Sequence, residues 1–223
     1  MSARRLQTRR DYDWSEAKDI YHILSYLGVA EVVDVGCGGG ELVQFLRSRW
    51  FKAVGCDITV TNNTSTLFYC DATKPETIPT AEAWVLQHVL EHIPKESWLP
   101  LFRRAWSTGV KHIVIVVPGH TCNDPSHVCN HFVLGGEEDV RGLFGKVKLC
   151  RLAELVEMLK HIGYNVIWFP DAHSIEAPWS LDYIVVASES KHLKLRFLPW
   201  IATSGLGYWL LLKLLRKVLH KIF

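Results

Sequence analysis

Residues 32–40, Val-Val-Asp-Val-Gly-Cys-Gly-Gly-Gly, run an apolar stretch into four glycines within five positions. This reads as a buried strand, a tight turn and the start of a helix, which points to a parallel α/β sheet with ligand-holding turns. Without a Cβ, Gly36 and Gly38 let the backbone take positive φ and approach a nucleotide-like ligand closely. Glu41 stands where a dinucleotide fingerprint has its third glycine, and Asp34 precedes the first glycine by two residues. A carboxylate in that place suits a cationic ligand better than a pyrophosphate.

Three more segments follow in order. Lys-Ala-Val-Gly-Cys-Asp (52–57) is a short apolar strand ending in Asp57, an acid able to accept both hydroxyls of a ribose. That feature alone would equally suit NAD. Leu-Phe-Tyr-Cys-Asp-Ala (67–72) ends a third strand in Asp71, and Trp-Val-Leu-Gln-His-Val-Leu-Glu-His-Ile (84–93) leads a fourth strand into an expected helix.

With these four segments the chain resembles the class I S-adenosylmethionine-dependent methyltransferases, whose first motif is an acidic residue followed by G-x-G-x-G. The resemblance spans roughly residues 15–188. It implies a Rossmann-like, seven-stranded, mostly parallel sheet with helices on both faces, and S-adenosylmethionine as cofactor. It also implies residue roles. Gly36, Gly38 and Asp34 would lie against the amino acid part of the cofactor, Asp57 on its ribose and Asp71 on its adenine amino group. Cys37, Ile58, Ala72 and Gln87 would line the same site.

Hydrophobic periodicity places a leading helix at 14–27, stopped by Gly28, with Trp14, Ala17, Ile20, Tyr21, Leu24 and Leu27 at helical spacing. In the family such a helix often lids the cofactor with an aromatic residue, a role open to Tyr12 or Trp14; Trp14 fits a core position equally well. Strands and helices then alternate over 32–36, 41–50, 53–57, 67–70, 82–87, 95–107 and 112–117. A helix at 151–162 precedes two extended stretches, 164–169 and 182–188, matching the family's closing antiparallel pair.

In parallel sheets the ligand crevice lies beyond the carboxyl ends of the strands, which puts Gln87, His88 and the loop after Pro118 beside the reacting methyl group. On an α-helix His88, Glu91 and His92 would share one face, as a base with an orienting carboxylate or as ligands of a divalent metal. A structural helix start is the competing reading, with Glu91 at the amino terminus and His92 packed on the sheet. Residues 118–132 resemble a D-P-x-H-V segment found in methyltransferases acting on sugars and related acceptors, with Asp124 and His127 as the matching residues. His127 is thereby a candidate base or acceptor contact. Cys122, His127, Cys129 and His131 have the residue types of a zinc site but not its usual spacing, so no metal is expected.

At 223 residues and 48% apolar content the chain can bury one sizeable α/β core. The expected division is a catalytic domain at 1–190 and an appendage at 191–223. Residues 191–223 hold seven Lys or Arg and no acid, so the remaining eighteen basic and twenty-three acidic residues leave the body near −5. Residues 197–212 are uncharged, sixteen in a row with basic flanks, shorter than a bilayer-spanning helix needs. From Leu210 onward Lys213, Arg216, Lys217 and His220 share one helical face and Leu211, Leu214, Leu215, Val218 and Ile222 the other. This describes an amphipathic helix suited to an anionic membrane surface, with a partner surface or the domain's own core as alternatives. The adjoining Trp and Leu residues favour lipid over nucleic acid.

Cys37, Cys56 and Cys70 fall at the ends of three neighbouring strands and read as small buried thiols. The amino terminus, Met-Ser-Ala-Arg-Arg, leads into no apolar run of signal-peptide type. Both point to a reducing, cytoplasmic setting. The expected activity is methylation of an oxygen on a small or lipid-linked, glycan-like acceptor. RNA or protein methylation, or a cofactor-binding module without turnover, are the alternatives.

Overall fold

The computed structural model describes residues 14–117, 146–170 and 183–193. Their order is α1 (Trp14–Leu27), β1 (Glu31–Val35), α2 (Glu41–Arg47), β2 (Lys52–Asp57), β3 (Leu67–Tyr69), β4 (Ala83–Gln87), α3 (Trp98–Ser107), β5 (His112–Val117), α4 (Lys146–Ile162), β6 (Asn165–Pro170) and β7 (Tyr183–Ser188). The sheet has seven strands in the order β3-β2-β1-β4-β5-β7-β6. Pairing is parallel from β3 through β5, and β7 runs antiparallel to both β5 and β6.

Strands covered on both faces read as nearly continuous apolar runs, and β5, His-Ile-Val-Ile-Val-Val, is buried at every position. Alternate residues serve opposite cores. Val33, Val35, Trp84, Leu86, Ile113 and Ile115 pack with Trp98, Phe102 and Leu155 of α3 and α4. Val32, Ala53, Val85, Val114 and Val186 pack with Ile20, Leu24, Val43 and Leu46 of α1 and α2. Asp34 lies between Val33 and Val35 and so projects to the α1/α2 side, at the carboxyl end of β1. The order reverses between β1 and β4, which leave in opposite directions across the sheet, and this is where an open α/β sheet makes its crevice.

Two expectations are corrected. No α-helix begins at His88: Leu90–His92 is a single 3₁₀ turn, so His88, Glu91 and His92 share no helical face, and His92 is exposed rather than packed on the sheet. The cause lies at His88, whose backbone is left-handed (φ 54°) while its N–H stays bonded to the Val116 carbonyl, which turns the chain before a helix can begin. Second, Cys56 and Cys70 are joined as a disulfide. Pairing of Asp57 with Tyr69 sets the flanking Cys56 and Cys70 Cα atoms 5.4 Å apart, within bridging range, so of the three only Cys37 fits the reading of a buried thiol.

Candidate functional site

The glycine turn is built from strand-end hydrogen bonds. Gly36 and Cys37 both donate their N–H to the Cys56 carbonyl, at 2.7 and 3.1 Å, and Gly38 donates to Asp57 Oδ2 at 2.9 Å. Gly36 takes φ 77°, and a Cβ there would lie 2.5 Å from Val89 Cγ2, so no other residue fits without moving the segment after β4. Gly38 also has positive φ, 51°, but a Cβ there would meet nothing within 4 Å. Packing dictates the first glycine. At Gly38 the backbone is bare toward open space, where a ligand can rest against it.

Around this turn carboxylates outnumber their partners. Asp34 is 3% exposed, and no side chain among the described residues donates to it. Burial first, then the charges of Asp57 and Glu41, push its carboxyl up to about 7. A bound cation would reverse all three effects, so the site fits a ligand bearing an ammonium or sulfonium group. Burial raises the Cys37 thiol to about 12, helped by Asp34 and Asp57, which rules it out as a nucleophile at neutral pH.

Asp57 does more inside the fold than a pure ribose contact would. Its Oδ1 accepts from the Thr59 N–H and hydroxyl at 2.8 and 2.7 Å, while Oδ2 takes the Gly38 N–H. One lone pair of Oδ2 remains, so holding both hydroxyls of a ribose requires Thr59 to yield. Ile58 beside it is 62% exposed, an apolar surface at the mouth of the crevice. Asp71 is likewise committed: Oδ1 accepts from the Thr73 N–H and hydroxyl, and Lys74 Nζ lies 3.4 Å from Oδ2. The Thr73 hydroxyl is the largest of the influences that hold its carboxyl below the usual range. Ala72 packs against the core behind it.

At the end of β4 the structure adds a residue that sequence reasoning missed. Glu16, on the first turn of α1, is 3% exposed and accepts from Gln87 Nε2 at 2.5 Å, with His88 Nε2 3.0 Å away. The other ring nitrogen, Nδ1, lies 3.5 Å from Glu91 Oε1. Burial alone would lower the imidazole, but hydrogen bonds donated to Glu16 and then Glu91, with their charges, raise it well above its ordinary value. The two carboxylates flanking the ring favour its protonated form. Glu91 is 2% exposed and its Oε2 has no hydrogen-bond partner among the described residues. The signal for Glu16 was available: it lies four residues before Ile20 and seven before Ile23, on the buried face of α1. Trp14, two residues earlier, is half-exposed against Phe45 rather than in the core.

His127, Asp124, the other Cys and His residues of 118–132, Tyr12 and the tail beyond 193 lie outside the described residues. Among the described residues no three His, Cys, Asp or Glu side chains are placed to hold a metal ion.

Strand order, glycine turn and carboxylate-lined crevice together define a class I S-adenosylmethionine-dependent methyltransferase. A sequence profile of methyltransferase domains matches residues 7–176, and the chain belongs to that family. Among solved structures it is similar to the methyltransferase domain of bacterial CtHen1-CN, with 17% identity, 79% of this chain and 98% of that one covered, and a TM-score of 0.57. It is also similar to a SAM-dependent methyltransferase from Archaeoglobus fulgidus (17%, 77% and 94%, 0.52). A third is the magnesium protoporphyrin IX methyltransferase of Synechocystis with bound SAH (15%, 85% and 90%, 0.53). At these identities the likeness is one of fold. No curated protein sequence matches the chain.

Proposed function

We propose that this methyltransferase transfers the methyl group to an oxygen of a small or lipid-linked, glycan-like acceptor, at the surface of an anionic membrane. The observation that carries the reading is the His88–Glu91 pair at the carboxyl end of β4, beside the glycine turn. A hydroxyl nucleophile must shed a proton as the new bond forms, and a site for oxygen therefore needs a proton acceptor within reach. When bound, S-adenosylmethionine supplies a methyl group on a sulfonium centre, open to in-line displacement.

The chain's own residues do the rest. Asp34 and the bare backbone at Gly38 receive the cationic amino acid portion, and Asp57 and Asp71 bracket the ribosyl and adenine portion. Gln87 and His88 are tied to Glu16, which draws α1 to the crevice and keeps water from one side of it. The unpartnered Glu91 Oε2, next to a half-exposed His88 ring, is the buried atom suited to take up the hydroxyl proton. His127 is the second candidate base, on the strength of the D-P-x-H-V sequence. One similarly folded protein acts on magnesium protoporphyrin IX, a small molecule. The basic, apolar sequence of 197–223 supports a membrane-surface location.

Methyl-labelled cofactor incubated with the protein and with separate lipid, glycan, RNA and protein fractions tests the reading. Label is expected in the glycan or lipid fraction. Label in RNA or protein would install those acceptors instead, and cofactor binding with no labelled product in any fraction would mark a non-catalytic module.

A further inference from the structure

Trp50 is the most exposed large apolar residue described, at 95%, and its backbone is left-handed (φ 71°). It occupies the closing position of α2. Its N–H bonds to the Arg47 carbonyl at 3.1 Å and the Phe51 N–H reaches back to Leu46 at 3.2 Å, the Schellman pattern in which glycine is the favoured residue. A bulky side chain there strains the backbone, and this one is left wholly in water. The fold gains nothing from it; Phe51 and Leu46 make the internal contact instead.

Trp50 lies where β2 begins, so it marks the amino end of the parallel strands, opposite the cofactor crevice. One other half-exposed aromatic belongs to the same end and the same side of the sheet, Tyr26 on the last turn of α1, whereas Trp106 on α3 packs its ring against Tyr164 on the other side. Arg49, next to Trp50, places its guanidinium 3.5 Å over the Phe45 ring, not against a carboxylate. Lys52 and Lys111 stand on the same rim, paired with Glu31 and Glu82. The chain beyond the described residues leaves from this end too. β7 is antiparallel, so Ser188 pairs with His112 at the start of β5, Glu189 N–H bonds to the Lys111 carbonyl, and Leu193 is fixed in the α1/α2 core at 1% exposure. The thirty residues that follow, 194–223, contain basic residues, no acids, and the uncharged stretch 197–212.

We infer that the amino end of the sheet, centred on Trp50, is a docking surface for an anionic lipid bilayer. An exposed Trp and Tyr suit the headgroup layer, where the rings are half buried, and the acid-free basic sequence that follows Leu193 supplies cations for lipid phosphate. This rests on the reading of 197–223 as a membrane-surface segment and adds the face of the domain that the segment lays down. It also turns the crevice away from the bilayer. The acceptor group is then taken from the aqueous side, as part of a soluble molecule or of a headgroup that extends past the domain.

The test uses the full chain and its Trp50→Gly variant, with vesicles of phosphatidylcholine alone and with phosphatidylserine, scored by co-sedimentation and by thermal melting. Glycine suits the left-handed turn, so the variant melts at the same temperature or higher. Its partition onto anionic vesicles falls roughly tenfold, since a Trp contributes a large apolar area to any surface it enters. Binding of both proteins with equal strength leaves the tail reading standing and overturns the docking face. No binding of the wild-type chain overturns both. Self-association of the wild type that Trp50→Gly abolishes, without vesicle binding, would assign the face to a second copy and overturn the lipid proposal.

Discussion

The two ends of the sheet differ in how they use left-handed backbone. At the carboxyl end Gly36, Gly38 and Gly40 carry positive φ and His88 adds a fourth position, all around a crevice crowded with carboxylates. At the amino end Gly28 and Gly109 close helices with positive φ, and Trp50 takes the same conformation with its side chain in water. Where glycine takes the strained conformation, the backbone is shaped for packing or for a ligand. Where a large side chain takes it, stability is given up for what that side chain meets: Glu16 and Glu91 for His88, a partner outside the chain for Trp50.

The comparison breaks most visibly at His88. Asparagine tolerates the left-handed conformation, so His88→Asn keeps the turn while removing the imidazole between the carboxylates. Methyl transfer is expected to fall roughly 10²- to 10⁴-fold, with cofactor affinity changed by less than about threefold, as steady-state rates and calorimetry would read. Equal losses in both would make His88 a cofactor contact instead of the residue that positions Glu91.

Next in size is Gly36→Ala. The new Cβ meets Val89 Cγ2 at 2.5 Å and the backbone is left-handed, so the cost is about 3 kcal/mol in urea denaturation. A loss under about 1 kcal/mol would mean that the segment carrying His88 shifts freely, against a preformed site.

Asp34 sharpens the electrostatic half of the contrast. Its folded carboxyl is raised from 3.8 to about 7, so ionisation opposes folding. Its neutral form persists below about 7, and the destabilisation grows as pH rises from 3.8 toward 7 and then levels off. A cationic ligand needs the ionised form. Affinity for S-adenosylmethionine should therefore climb with pH up to about 7, by as much as about tenfold per unit, and flatten above it. Asp34→Asn removes the slope and makes the ligand-free protein more stable at neutral pH. A wild-type affinity independent of pH over this window would show that Asp34 does not meet the cation.

The smallest effect belongs to the amino end: Trp50→Gly should stabilise the isolated protein by about 1 kcal/mol in the same urea experiment. Destabilisation would mean that the indole packs on the fold after all.

Much of this architecture was legible in the sequence because β1, β4 and β5 are mostly buried on both faces and therefore largely apolar, with polar residues near their ends. Their alternation with helices at 14–27 and 98–107 left little freedom in the topology. Asp34, Gly36 and Gly38 were legible for a related reason, since strand end, turn and helix start are contiguous in the chain. What escaped depended on distance along it. Glu16 and His88 are 72 residues apart, and an acid in the first turn of a helix reads as favourable to the helix dipole until its neighbours are known. The Cys56–Cys70 bridge needed the register of β2 on β3. The helix expected after β4 failed on the backbone of His88, which spacing does not encode.

The central claim is that the carboxyl end of this sheet holds S-adenosylmethionine through its buried acids. It is tested most directly by calorimetric titration of S-adenosylmethionine, with NAD in parallel, into the wild-type protein and Asp34→Asn at a pH above 7. The account predicts binding of the sulfonium cofactor, no binding of NAD, and affinity at least roughly tenfold weaker in the folded variant. Folded protein that binds no S-adenosylmethionine, or a variant that binds it as tightly as wild type, would contradict the account.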